Sequence, residues 1–125
     1  MVTFLRWVLP LFFAANGVFM LAAPEPWYGA IPGVTETGPY NPHFIRDIGA
    51  AYIAAAAGLG WWAAGRGIGG AVAAAVFLGL HMFVHLFEAL IGHHPASDVG
   101  RDFVGVYLPT LIVFWIVWRD WKREA

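Results

Sequence analysis

Charged residues fall in clusters along the chain, and between them lie four uncharged stretches, 7–24, 48–65, 67–87 and 103–118. A helix needs about 20 apolar residues to cross the hydrocarbon core of a bilayer, so each stretch predicts a membrane-crossing helix. The last is slightly short, which aromatic ends and a locally adapted bilayer accommodate. A soluble bundle would need a polar face on every helix, yet 48–65 offers only Tyr52 as a polar group, and 103–118 only Tyr107 and Thr110. The expected fold is therefore all-α, an integral membrane four-helix bundle in one domain. Its helices run about 3–21, 42–64, 68–91 and 98–119, with outer loops at 24–41 and 92–97.

The breaks between these stretches have their own chemistry. Pro24, Pro26, Pro32, Pro39 and Pro42, with Gly29, Gly33 and Gly38, read as a long loop. Asn41-Pro42 is a start signal for the second helix, with Asn41 as the cap and Pro42 in the first helical position. Gly65-Arg66-Gly67 is a short turn, and Ser97 or Asp98 can cap the fourth helix. The second helix and the first half of the third are rich in Gly and Ala, which let membrane helices approach closely. They should form a tight hairpin, with Ala57 and Ala74 in its seam. Arg6, an apolar run and Ala22-Ala23 also have the outline of a secretory signal peptide; the segment is read as a retained helix.

Composition agrees with the pattern: 60% of residues are hydrophobic and 12% charged, against about half and about a quarter in soluble domains. The net charge of −1 gives no field for nucleic acid, and the lack of cysteine excludes disulfides, thiolate metal sites and Cys nucleophiles. Lys and Arg fix an orientation. Arg6, Arg66, Arg119, Lys122 and Arg123 fall on one side of a four-span chain, and only Arg46 and Arg101 on the other. The positive-inside rule then places both termini and the Arg66 turn in the cytoplasm. Trp7, Trp61, Trp62, Trp118 and Trp121 cluster at the inner boundary, and Trp27, Tyr28 and Tyr40 at the outer one, as aromatic belts do.

All five histidines fall in the outer half. The sharpest motif is His81, His85 and Glu88, whose spacings of four and three put them on one helix face. At about 1.5 Å per residue, His81 lies near mid-bilayer and Glu88 near the outer interface. Ionisable groups at such depth cost about 2.5–3.5 kcal/mol each and mark functional sites. Two imidazoles at i, i+4 grip a transition metal, and a carboxylate one turn on completes or supports the site. On the second helix His43 and Asp47 share a face, with Asp47 at the depth to join His81, His85 and Glu88 as a fourth ligand. His43, Arg46, Asn16 and Asp98 are supporting groups, Arg46 as an electrostatic partner of Glu88 or Asp98. Nitrogen and carboxylate ligands without sulfur suit iron, copper, zinc or manganese. Haem fits less well, because only His43, at the membrane edge, can oppose the third helix. A plainer reading has the histidines bonding across helices, Glu88 and Arg46 forming a structural pair, Asn16 gluing helices, and His93 and His94 solvated.

The run from Arg6 through Pro10 and Asn16 to Gly17, followed by the Pro-rich loop, resembles DoxX-like small bacterial four-helix membrane proteins. So does the segment Phe44, Ile45, Arg46, Asp47, Ile48, Gly49 opening an Ala-rich helix. The resemblance covers the first half of the chain. It implies the four-helix fold and points toward redox chemistry, since some members are associated with quinone-linked oxidation; no site residue carries over. The expected function is a polar, metal-binding site open to the outer face, with a redox or quinone-linked role. Two rivals stand beside it: a metal-free accessory subunit of a larger membrane complex or homo-oligomer, and a membrane enzyme using acid–base chemistry on a lipid-soluble substrate.

The orientation is testable on a chain without native cysteine. Single cysteines at Thr35 and Ser97 are expected to react with an impermeant thiol reagent added to intact cells, and one at Gly67 is not. The reverse labelling would overturn the orientation.

Overall fold

A computed structural model of the chain describes residues 2–91 and 97–124, and helix is its regular structure, with no strand among the described residues. The long helices are α1 (Val2–Ala22), α3 (Pro42–Ala63), α4 (Gly69–Leu90) and α6 (Leu108–Glu124). Between α1 and α3 lie a short helix, α2 (Pro24–Ala30), and a 3₁₀ turn (Val34–Glu36). The last helix is entered through α5 (Ser97–Asp102) and a π-helical turn (Phe103–Tyr107). Three helical segments are long and apolar enough to cross a membrane: Val2–Ala22, Gly69–Leu90 and Val99–Arg123, of 21, 22 and 25 residues. α3 matches them in length, but its Ala, Gly, Tyr and Trp content and its Arg46-Asp47 pair leave it less apolar. All four long helices pack together: α1 on α3, α3 on α4, α4 on α6, with α6 returning to α1.

Local chemistry sets the helix ends. The Asn41 side chain accepts a hydrogen bond from the Phe44 backbone N–H at 3.1 Å, and Pro42 takes the first turn, where its missing N–H costs nothing. The α3–α4 turn holds Gly65 and Gly67 at φ 75° and 99°, values that side-chain-bearing residues rarely adopt. The buried residues of α1 (Leu9, Phe13, Gly17, Met20) and of α3 (Ile45, Gly49, Tyr52, Ala56, Leu59) recur every three or four positions, one stripe on each helix. The remaining faces expose large apolar side chains, on α4 Val76, Leu80, Phe83, Val84 and Phe87.

Glycine pairs bring the backbones together. A Cβ at Gly17 would stand 2.8 Å from the Gly49 carbonyl oxygen, and one at Gly58 would stand 2.5 Å from that of Gly70. The closest glycine approach of α3 to α1 therefore falls in its first half, and that to α4 in its second. On α4, Gly79 receives the ring of Phe114 from α6. At the end that gathers the N-terminus of α1, the C-terminus of α3 and the C-terminus of α6, Asp120 is buried and ion-paired with both Arg6 and Arg119. The Arg6 guanidinium also lies 4.6 Å from the Trp62 ring centre. Beside this cluster Lys122 rests on Trp118 and Arg66 on Trp61.

Three expectations need correction. The segment 24–41 is not all loop: Pro24 occupies the first turn of α2, where proline is tolerated, and Trp27 turns inward. The final helix is not uniform either. Pro109 has no N–H for the Gly105 carbonyl and its ring crowds that turn, so the chain widens into the π-turn, whose closing bond runs from Leu108 N–H to the Phe103 carbonyl. Finally, Ala57 faces outward while Ala74 is 2% exposed, so only Ala74 belongs to the seam. The expected Ser97 or Asp98 cap and the loop residues His93 and His94 lie outside what the structure describes.

The seam gives a paired test by thermal unfolding in detergent. Ala74→Leu should destabilise by about 1–3 kcal/mol through overpacking, whereas Ala57→Leu, on an outward face, should stay within about 0.5 kcal/mol of the parent. Equal stability of the two variants would contradict the packing described.

Candidate functional site

A cavity of about 570 Å³ opens among α1, α3, α4, α5 and the 24–41 segment, in the half of the bundle away from the Arg6–Asp120 cluster. That volume lies inside the range of about 300–1,000 Å³ usual for small-molecule sites. Most of its wall is apolar: Phe12, Phe19 and Met20 from α1, Ile48 from α3, Val99 and Val106 from the final helical region. Its polar groups are few, and α4 supplies three of them, His81, His85 and Glu88, one helical turn apart.

The link that organises these groups crosses between helices. His85 Nδ1 lies 2.7 Å from Asp102 Oδ2, with both side chains largely buried. An ionised carboxylate only accepts, so the imidazole donates through Nδ1 and turns Nε2 away from Asp102. His81 stacks edge-on to His85 at 4.8 Å between ring centres, and Tyr52 of α3 meets His81 edge-on at 5.7 Å. A continuous row therefore runs from Asp102 through His85 and His81 to Tyr52.

The 24–41 segment forms the roof. Trp27 donates its indole N–H to Asn16 Oδ1 at 3.0 Å, which pins α2 to α1. Arg101 donates to Glu36 Oε2 at 3.1 Å, pinning the 3₁₀ turn to α5, and its Nε lies 3.5 Å from Asp102 Oδ1. Gly33, at φ 84°, gives the Arg101 guanidinium room to pack against the backbone. Tyr28 closes the roof on itself by donating to the Gly38 carbonyl at 2.6 Å.

The expected site residues divide into two groups. His81, His85, Glu88 and Asn16 line one cavity. Asp47 stands apart: it is exposed, lies 3.4 Å from the similarly exposed His43, and takes no part in the cavity wall. Its position on α3 directs it away from the α4 stripe, because the α3 face toward the core carries Ile45, Gly49 and Tyr52. Arg46 donates to the Leu21 carbonyl at 3.3 Å, anchoring α3 to the end of α1. The Asp98 side chain is outside the described residues. Among the described residues no three His, Asp or Glu side chains are grouped to hold a metal ion.

Sequence reasoning passed over Asp102, Tyr52, Trp27 and Arg101 as members of the site. Asp102 carried a usable signal, since an antiparallel final helix places its start at the depth of His85. The π-turn that follows it was also traceable, to Gly105 and Pro109. No family model, curated protein or solved structure matches the chain.

Asp102→Asn removes the charge but keeps the shape. The His85 ring should lose its fixed tautomer, read from imidazole ¹⁵N shifts. Stability should fall by about 0.6–1.7 kcal/mol, the scale of interhelical hydrogen bonds in membrane proteins. Unchanged ¹⁵N shifts would show that Asp102 does not orient the ring.

Proposed function

We propose that α1, α3, α4 and α6 cross a bacterial inner membrane with both termini in the cytoplasm, and that the outer half holds a lipid-soluble small molecule for acid–base chemistry. One observation carries the reading: a ligand-sized, largely apolar cavity has the interhelical His85–Asp102 pair in its wall. Apolar walls select a ligand that partitions into lipid, and a few convergent polar groups orient it. His85 is the proton acceptor and donor, Asp102 its positioning residue, and His81, Tyr52 and Asn16 hydrogen-bond the ligand's polar atoms. A quinone-like ring with carbonyl or hydroxyl oxygens has the required character and agrees with the DoxX-like resemblance.

A second reading has one observation of its own. A carboxylate on the Nδ1 of a histidine is the usual support of a metal-bound imidazole, so Asp102 also suits His85 as a ligand to a transition metal beside its neighbour His81.

One preparation separates these readings. The protein is extracted with its native lipids, and bound organic molecules and metals are both quantified in parent and His85→Ala. A stoichiometric lipid-soluble molecule that the substitution removes supports the pocket. A stoichiometric metal that it removes supports the second reading. Neither molecule nor metal in the parent would sink both and leave an accessory subunit.

A further inference from the structure

We infer that the cavity exchanges protons with the outer membrane face alone: the row of ionisable groups is a half-channel closed by a dry plug, and the chain carries no proton across the bilayer. The inference rests on the spanning arrangement proposed above, not on the identity of any ligand.

Every element around the row supplies its chemistry at one end. Glu88, His85 and His81 descend α4 from the roof inward. Asp102 and Arg101 face them from α5, and Glu36 meets Arg101 from the roof. α3 adds Tyr52 at the inner limit of the row, α1 adds the uncharged Asn16, and the π-turn carries Tyr107, a buried side chain whose hydroxyl has no hydrogen-bond partner among the described residues.

Beyond Tyr52 the described residues offer no ionisable group until the far end of the bundle. Phe13 stacks on the Tyr52 ring with 5.9 Å between centres, and Leu59, Leu78, Val113 and Ile116 behind it are each no more than 1% exposed. α4 carries no ionisable residue from Gly69 to Leu80, about 18 Å of helix at 1.5 Å per residue. On α1 the interval from Arg6 to Asn16 is about 15 Å by the same measure. The Thr110 hydroxyl, the one polar side chain of α6 in this zone, is bonded to the Val106 carbonyl of its own helix at 2.7 Å. The next ionisable groups are Arg6, Arg119 and Asp120, already paired with one another. Proton transfer needs side chains or waters in hydrogen-bond reach, and a layer packed with Ala, Leu, Val and Phe provides neither.

Two measurements test this together. Ala15→Cys and Ala89→Cys in the cavity wall, and Ala75→Cys and Leu59→Cys in the plug, are labelled with a small charged thiol reagent in intact cells and in inverted membrane vesicles. The cavity cysteines should react in cells and not in inverted vesicles, and the plug cysteines in neither. The parent in phospholipid vesicles loaded with a pH-sensitive dye should hold an imposed pH gradient as long as protein-free vesicles do. Reaction of a plug cysteine from either side, cavity cysteines that react from the inner side or from neither side, or a leak that His81→Ala abolishes would each overturn the half-channel. Failure of the spanning arrangement itself would appear separately, as Thr35→Cys and Gly67→Cys reacting from the same side.

Discussion

The close approach of helix backbones at glycine is the constraint on which the rest of the molecule depends. Gly58 and Gly70 bring α3 and α4 together in one half of the bundle, where neither side could accept a methyl group. Along α4 the side chains then grow, from Gly70, Ala71, Ala74 and Ala75 to Phe77, His81 and His85. This volume gradient acts as a wedge. Helices in contact at their small-residue ends must part where bulky residues begin, and the cavity occupies the space so opened. Association by close packing rather than by exclusion of water is what a lipid environment demands, so one physical rule accounts for both the tight half and the open half.

The polar groups follow the same division. In the tight half, charge is drawn to the end of the bundle, where Asp120 is paired with both Arg6 and Arg119, which ties the first helix to the last. In the open half, His85 and Asp102 do the tying, from two helices that meet in the wall of the cavity. A bond that holds two helices and also fronts a cavity is placed to respond to whatever occupies that cavity. The roof has the same double character, since Trp27 and Arg101 both bind it to the bundle and line the space beneath it.

Much of this was legible in the sequence because hydropathy and small-residue patterns act locally. The limits of α1, α3 and α4 fall within a residue of those expected, and the α4 stripe of His81, His85 and Glu88 does share one face toward a cavity. Depth along a helix can be counted, but azimuth cannot be read so simply. Asp47 has the right depth for the site and the wrong side of α3, because the core stripe of that helix runs through Ile45, Gly49 and Tyr52. The roof was hidden for a different reason. Its fold depends on Trp27 reaching Asn16 and Glu36 reaching Arg101, contacts between residues distant in sequence that no local pattern announces.

The π-turn at Phe103–Tyr107 acts as a phase slip in the last helix. A π-turn holds one residue more than the helix it interrupts, so everything before it is rotated by about 100° relative to a regular continuation. The later turns of α6 keep Val113, Ile116 and Val117 on the core while Asp102 still faces His85. The two ends of that helix thus answer to different partners, Asp102 to His85 and the later turns to the core. Tyr107, held inside the slip, has a buried hydroxyl with no hydrogen-bond partner among the described residues, and it stands at the joint between the two ends.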